Sequence, residues 1–154
     1  MIAVIQRVNS ATVFADEVLC GKIGFGLYIL LGVEKNDVEQ DAELLAEKIS
    51  KLRIFSDSND KMNLSVMDVD GEIMVVSNFT LNANYAHGNR PDYFSGAAPD
   101  EAMRLYSYFF ELVSKKVKNT AAGKFGADMR TELSTNGPVT IVMNSAVLKK
   151  DKRS

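Results

Sequence analysis

Two short stretches hold residue types from which chemistry can be built. The first, Ser134-Thr135-Asn136-Gly137-Pro138-Val139-Thr140, sets a rigid kink against a β-branched run. Proline fixes φ and lacks an N–H, and the glycine before it has no Cβ, so Gly137-Pro138 can turn bare carbonyls toward a ligand at close range. An X–Pro bond is also the one place where a cis peptide costs little. An ordinary turn between two strands is the plainer reading of the same residues. The second stretch, Ser77-Asn78-Phe79-Thr80-Leu81, closes a predicted strand, and alternation puts Asn78 and Thr80 on the face opposite Ser77, Phe79 and Leu81. Thr80 offers a hydroxyl nucleophile or is simply a strand threonine, with no activating base in view. Where a strand opens into a loop, its last N–H groups lose their ladder partners, and such donors can form an oxyanion hole.

Other routes to catalysis need side chains this chain hardly has. There is one histidine and one cysteine, whereas a structural zinc site takes four Cys or His ligands and a catalytic one usually at least two His. No metal and no cofactor is expected. His87 sits in a polar stretch and reads as a surface or phosphate-contacting residue more readily than as a general base. Cys20, beside Leu19 in an apolar strand, reads as a small buried hydrophobe. Gly21, Gly24 and Gly26 do not spell a dinucleotide fingerprint, and neither a P-loop nor a nucleophile elbow is present.

The elements that must position these stretches belong to one domain. At 154 residues, with 46% hydrophobic and 25% charged residues, the chain has the composition of an ordinary soluble globular protein. The longest weakly polar run, Ile23 to Val33, stops at Glu34-Lys35, far short of a membrane span. Met1 to Arg7 lacks the basic n-region of a signal peptide, so cytoplasmic residence is the expectation. A net charge of −2 argues against coating nucleic acid through overall charge. Local contact with an RNA end stays open, while DNA and membrane partners are not expected. Lys149-Lys150-Asp151-Lys152-Arg153 is the only charge run and reads as a solvated tail.

Residues 2–14, rich in β-branched side chains, predict a strand that turns at Ala15-Asp16-Glu17 and returns through Val18-Leu19-Cys20. Phe25 to Val33 is almost continuously apolar, as a central strand covered on both faces should be. Asp37 with Gln40 three residues on resembles a capping box, and Ala42, Leu45, Ile49 and Leu52 follow at helical spacing. Asp70-Gly71 predicts a hairpin joining Leu64–Asp68 to Glu72–Leu81. Asn82 to Ala98, loaded with Asn, Gly, Pro and aromatics, predicts a functional loop. Pro99 opens a second helix, with Asp100 and Glu101 at its positive end, Ala102, Tyr106, Phe109, Val113 and Val117 as its buried stripe, and Lys115, Lys116 and Lys118 at its close. Strands through Leu133 and from Val139 to Met143 flank the Gly-Pro turn. The sum is α+β: a mostly antiparallel or mixed β-sheet, barrel-like, with two main helices.

Read together, these segments resemble one family, the D-aminoacyl-tRNA deacylases, which cleave D-amino acids from the 3′ end of tRNA. The likeness spans Met1 to about Asn144. It is carried by Ala3-Val4-Ile5-Gln6-Arg7-Val8, Leu31-Gly32-Val33-Glu34-Lys35, Lys51-Leu52-Arg53-Ile54-Phe55, Lys61-Met62-Asn63-Leu64-Ser65, Phe94-Ser95-Gly96-Ala97-Ala98-Pro99, Phe125-Gly126-Ala127-Asp128-Met129 and Gly137-Pro138-Val139-Thr140. The order and spacing of all seven make the match specific. It implies a deacylase domain over 1–144, a basic C-terminal tail over 145–154, and a homodimer acting on the 3′ end of aminoacyl-tRNA. It also implies that Gly137-Pro138 is a cis element inserted from one subunit into the active site of the other, with Arg7 and Met129 as its supports. Ser77, Asn78 and Asn136 would complete the substrate pocket, with backbone around Phe79 and Thr80 near the scissile ester.

Such an ester is already activated, and the terminal ribose can contribute its vicinal 2′-hydroxyl, so little acid–base machinery is needed. If the Gly137 and Pro138 carbonyls hold the substrate α-amino group, an L side chain is driven into backbone, while a D side chain points away and glycine is accepted. The family's usual motif has glutamine where this chain has Asn78 and asparagine where it has Thr135. The second difference is shared with a related deacylase branch of altered chiral specificity, whereas Phe79, Arg7 and Val139 fit the standard form. Two other readings stand beside this one: a small-molecule ester or amide hydrolase with Thr80 as nucleophile, and a non-catalytic RNA-binding module using Arg90, Lys124, Tyr85 and Tyr93.

Overall fold

A computed structural model describes residues 1–151. Its elements, in chain order, are β1 (Ile2–Ala15), β2 (Val18–Ile23), β3 (Gly26–Gly32), α1 (Glu39–Lys51), β4 (Phe55–Ser56), β5 (Met62–Leu64), β6 (Glu72–Ser77), α2 (Pro99–Ser114), β7 (Thr120–Ala122), β8 (Met129–Asn144) and α3 (Ser145–Asp151). β1 is the spine. Along one edge it pairs antiparallel with β3 through residues 2–8 and with β2 through residues 11–15; along the other it pairs antiparallel with β8 from end to end. β6 then adds parallel to β3, and β7 parallel to β6. The result is a mixed sheet, and it curls until β2 meets β7: a Cβ built on Gly21 would lie 2.9 Å from that of Ala121. Absence of a side chain at Gly21 is what lets the two strands approach so closely.

The continuous hydrophobicity of β3 follows from cover on both faces. Leu27, Ile29 and Leu31 join Ile73 and Val75 of β6 under α1 and α2, with Leu45, Ile49, Leu105 and Phe109 as the helical contribution. Tyr28, Met74 and Val76 point the other way, into a second core closed by Val8, Ala11 and Val13 of β1 and by Ile23. Both helices supply one apolar stripe, as their spacing predicts.

Several local expectations give way to tertiary choices. Asp70-Gly71 does not form a hairpin. Asp70 takes φ 55°, Glu72 N donates to Phe25 O at 3.0 Å, and a ladder parallel to β3 begins there. Parallel neighbours need a crossover, which α1 and the small β4–β5 ribbon supply. Asp37 is not the N-cap of α1. Its carboxylate takes the Glu34 N–H at 2.6 Å; the N-cap is Val38, whose N–H donates to the carboxylate of Asp41 in the first turn at 2.8 Å. Cys20 is exposed, not buried: it is the extra residue of a bulge between the pairs Val13–Gly21 and Phe14–Leu19, in a stretch where Val18 and Leu19 are exposed as well. Lys116 and Lys118 lie beyond α2, and Lys115 is its C-cap. Ala121 and Ala122 belong to an unanticipated strand, β7.

Residue 145 begins α3, not a free tail. Ser145 Oγ donates to Asp41 at 2.6 Å and Lys149 Nζ pairs with the same carboxylate at 2.8 Å. Lys152 and Arg153 lie outside the described residues. Among the described residues no helix is long and apolar enough to cross a membrane.

Candidate active site

β6 ends at Ser77, four residues short of the predicted Leu81. Asn78 N donates to Leu31 O at 2.9 Å, and the chain then tightens into a single 3-10 turn, Phe79–Asn82. Asn78 is the N-cap. Its Oδ1 accepts from Thr80 N at 3.2 Å and from Thr80 Oγ1 at 2.5 Å. The first N–H groups of any helical turn lack intrahelical partners. Here the cap satisfies Thr80, and among the described residues no protein acceptor takes the Phe79 N–H. The Phe79 ring stands 66% exposed and meets Tyr93 edge to face at 5.2 Å.

Ser77, Asn78 and Phe79 border a cavity of about 510 Å³. Leu31 and Val33 from the end of β3, Pro99, Ala102 and Tyr106 from α2, and Phe125, Gly126, Ala127 and Met129 ahead of and opening β8 form its walls. The lining holds no carboxylate, imidazole, thiol or amine. Burial pushes the Tyr106 hydroxyl up to about 12, so it stays neutral and donates to Val75 O at 2.8 Å.

The remaining wall is the loop after the 3-10 turn, pinned across to β3. Asn82 Nδ2 and Ala97 N both donate to Val33 O at 3.0 Å, Lys35 N to Ser95 O at 2.8 Å, and Ser95 Oγ to Asn82 O at 2.8 Å. Asn82, 4% exposed, keeps its Oδ1 without a partner among the described residues. Tyr93, Gly96 and Ala97 thereby reach the cavity.

Gly137 and Pro138 lie elsewhere in the same chain. They do not join two strands; β8 continues through them, and the four residues Asn136 to Val139 stand opposite the single residue Arg7 of β1. Their peptide is cis, and Gly137 has φ 132°. Arg7 holds the excursion, with Nε donating to Asn136 O at 3.1 Å and Nη1 to Ile54 O at 2.7 Å. A Cβ on Gly137 would stand 2.7 Å from Val139 N and 3.3 Å from Arg7 Nη2. Both Gly137 and Pro138 are exposed.

The expected site residues therefore fall into two clusters within one chain. Ser77, Asn78 and Phe79 gather at the cavity with Thr80 just outside it, and Arg7, Asn136, Gly137 and Pro138 gather on the β1–β8 ladder. Met129, expected as a support of the Gly137-Pro138 element, stands on the cavity wall against Gly123. His87, Arg90 and Tyr85 are exposed on the 82–98 loop. Spacing marks none of Ala97, Ala102 and Tyr106 for the site, and Tyr93 only for the RNA-binding reading; the Phe94–Pro99 and Phe125–Met129 segments are the sequence signal for that wall.

A match to the family described as D-Tyr-tRNA(Tyr) deacylase covers residues 4–144. The D-aminoacyl-tRNA deacylase of Pelobacter propionicus (strain DSM 2379 / NBRC 103807 / OttBd1) is 52% identical over 143 residues, covering 93% of this chain and 99% of the relative. That of Salmonella paratyphi C (strain RKS4594) is 51% identical over 140 residues, covering 91% and 97%. Among solved structures, one described as c-Myc DNA unwinding element binding protein aligns with TM-score 0.88 at 37% identity, over 94% of this chain and 98% of that one. Another, a probable eukaryotic D-amino acid tRNA deacylase, aligns with TM-score 0.79 at 14% identity over 93% and 98%, a likeness of fold alone. Half of all positions shared across nearly the full length of such relatives, with a family match whose span of residues 4–144 takes in the cavity and the β1–β8 excursion, admits one assignment: the chain belongs to the D-Tyr-tRNA(Tyr) deacylase family.

Proposed function

We propose that the protein hydrolyses the ester joining a D-amino acid to the 3′ end of tRNA, releasing free D-amino acid and tRNA. The observation that carries the mechanism is the Phe79 N–H at the mouth of a cavity whose lining offers no acid or base. With no side chain to move protons, the protein's part is to position the ester and to stabilise the charge that develops on its carbonyl oxygen. Water adds to the acyl carbon, the Phe79 N–H receives the oxyanion, and the bond from acyl carbon to ribose 3′-oxygen breaks. The vicinal 2′-hydroxyl of the substrate takes the proton that the water loses and gives its own to the departing 3′-oxygen.

Chiral selection falls to Gly137 and Pro138 of a second copy, whose carbonyls hold the substrate ammonium and leave no room for an L side chain. Main chain cannot swing aside as a rotamer does. Glycine, with nothing to clash, is also a substrate. Nucleophilic attack by Thr80 is disfavoured, since its hydroxyl donates to a carboxamide oxygen, which cannot take up a proton near neutral pH.

The test is a deacylation time course on paired D- and L-aminoacyl-tRNA, repeated with a 2′-deoxy terminal adenosine. Fast loss of the D ester, persistence of the L ester and slow cleavage of the deoxy substrate are expected. Equal rates on the two enantiomers would remove the chiral role, and full activity on the deoxy substrate would remove the ribose from the mechanism.

A further inference from the structure

β1 and β8 slip past each other twice within a few residues. Between the pairs Gln6–Thr140 and Val8–Thr135, β8 carries the excursion Asn136 to Val139 opposite Arg7. Between Val8–Thr135 and Ser10–Ser134 the extra residue is on β1, and it is Asn9. A bulge re-aims the residue it displaces, and this one brings Asn9 to the base of the excursion: Asn136 Nδ2 donates to Asn9 Oδ1 at 2.8 Å. Asn136 is thus gripped twice, at its carbonyl by Arg7 Nε at 3.1 Å and at its side chain by Asn9. It is also the residue directly before Gly137.

We propose that Asn9 is a positioning residue for chiral selection, fixing through Asn136 the direction in which the Gly137 and Pro138 carbonyls point. This rests on the chiral role given above to those carbonyls. A steric filter rejects the wrong enantiomer only as far as it is stiff, and displacements near 1 Å are enough to loosen such a site. Loss of the Asn9 contact releases the Asn136 side chain, leaves its carbonyl to Arg7 and lets the excursion tilt, which admits an L substituent more than it hinders a D one. Asn9 is exposed and touches the proposed element through this hydrogen bond, so its removal leaves the core intact.

The experiment measures kcat/KM on D- and L-aminoacyl-tRNA for Asn9→Ala, Asn136→Ala, the double variant, Asn9→Asp and Pro138→Ala. Thermal melts confirm that each is folded. N9A is expected to lower the D-to-L ratio about tenfold, mainly by raising L turnover, and N136A to do the same. The double variant should add little to either, as befits two residues acting through one contact. N9D keeps the acceptor oxygen and should restore the parental ratio. A purely structural role would lower the melting temperature and slow both enantiomers alike, which overturns the proposal, as does an N9D that behaves like N9A. If P138A shifts the ratio and N9A does not, the inference about Asn9 fails while the filter stands. If P138A leaves the ratio unchanged, the filter itself fails and takes the role of Asn9 with it.

Discussion

The Tyr106 hydroxyl on α2 donates to the Val75 carbonyl on β6 at 2.8 Å, tying the helix that lines the cavity to the strand that delivers Phe79 to its mouth. Val75 O also accepts from Gly123 N at 3.2 Å, so Tyr106→Phe leaves that carbonyl with a partner. The cost is then the net worth of one buried hydrogen bond, about 0.5–1.5 kcal/mol, or a fall in Tm of about 1–6 °C for a chain this size. Because burial holds the hydroxyl up at about 12, Tyr106 does not titrate in the working range. Y106F should therefore show the same pH–rate profile as the parent up to about pH 10. A displaced alkaline limb would mean that the phenol takes part in the reaction.

Thr80 and Asn78 exchange the importance that residue type alone suggests. Removal of a true nucleophile costs about 10⁶-fold in kcat where that has been measured in a serine hydrolase. With its hydroxyl spent on the Asn78 amide, Thr80→Ala should keep activity within about tenfold. Asn78→Ala takes away the N-cap of the turn that orients the Phe79 N–H, at about 0.5–2 kcal/mol, and its kcat should fall further than that of T80A. Asn78→Asp, which keeps an acceptor for Thr80 N, should lie between. Single-turnover rates on one D-aminoacyl-tRNA rank the three, and a T80A slower than N78A would restore Thr80 as a candidate nucleophile.

Much of this was legible in the chain itself, and the misses share a cause. Leu27 to Leu31 read as a strand covered on both faces because the two cores each claim alternate residues. The stripe of α2 read as buried because Tyr106, Phe109 and Val113 recur at helical spacing. Asp70-Gly71 misled because a positive φ suits a hairpin and the start of a parallel strand equally well, and the partner strand, not the turn, decides between them. The same holds for Gly137-Pro138: nothing local says that β8 continues through it, since the excursion is defined only against the register of β1. Asn78 read as a strand residue because its cap depends on where β6 stops pairing with β3.

Lys149 and Asp41 give α3 a pH dependence. Burial alone would raise the Asp41 carboxyl, but hydrogen bonds from Lys149, Ser145 and the Val38 N–H outweigh it and hold the group below its ordinary value. A carboxylate with a folded-state pKa below the unfolded one contributes stability above the unfolded value, near 3.9, and loses it as pH falls through the folded value. Lys149→Met should cost about 1.5–3 kcal/mol at pH 7, the range for a hydrogen bond to a charged group. The gap in Tm between parent and K149M should narrow as pH falls below about 4. A gap independent of pH would show that Lys149 contributes by packing alone.

Gly137 is the position where one added methyl group tests the candidate site most sharply. At φ 132° an L side chain is strained whatever space surrounds it, because Cβ crowds the neighbouring peptide. Here the space is also taken: the new Cβ would meet Val139 N at 2.7 Å, Val139 Cγ2 at 2.9 Å and Arg7 Nη2 at 3.3 Å. Two of the three are close along the chain and cannot retreat without moving the excursion, while Arg7 is anchored by its bonds to Ile54 O and Asn136 O. Gly137→Ala should therefore cost about 1–3 kcal/mol in stability and displace the Pro138 carbonyl. Because the cavity at Phe79 contains none of these atoms in its own chain, a self-contained site would lose stability and little else. A site completed by a neighbouring copy would lose D-aminoacyl-tRNA turnover by about 100-fold or more. The two arrangements separate in a mixing experiment: G137A combined with an excess of a partner disabled at Asn78 and Phe79 should regain activity only if the excursion of one chain serves the cavity of another. No recovery, with subunit exchange verified by mass, would confine each active site to a single chain.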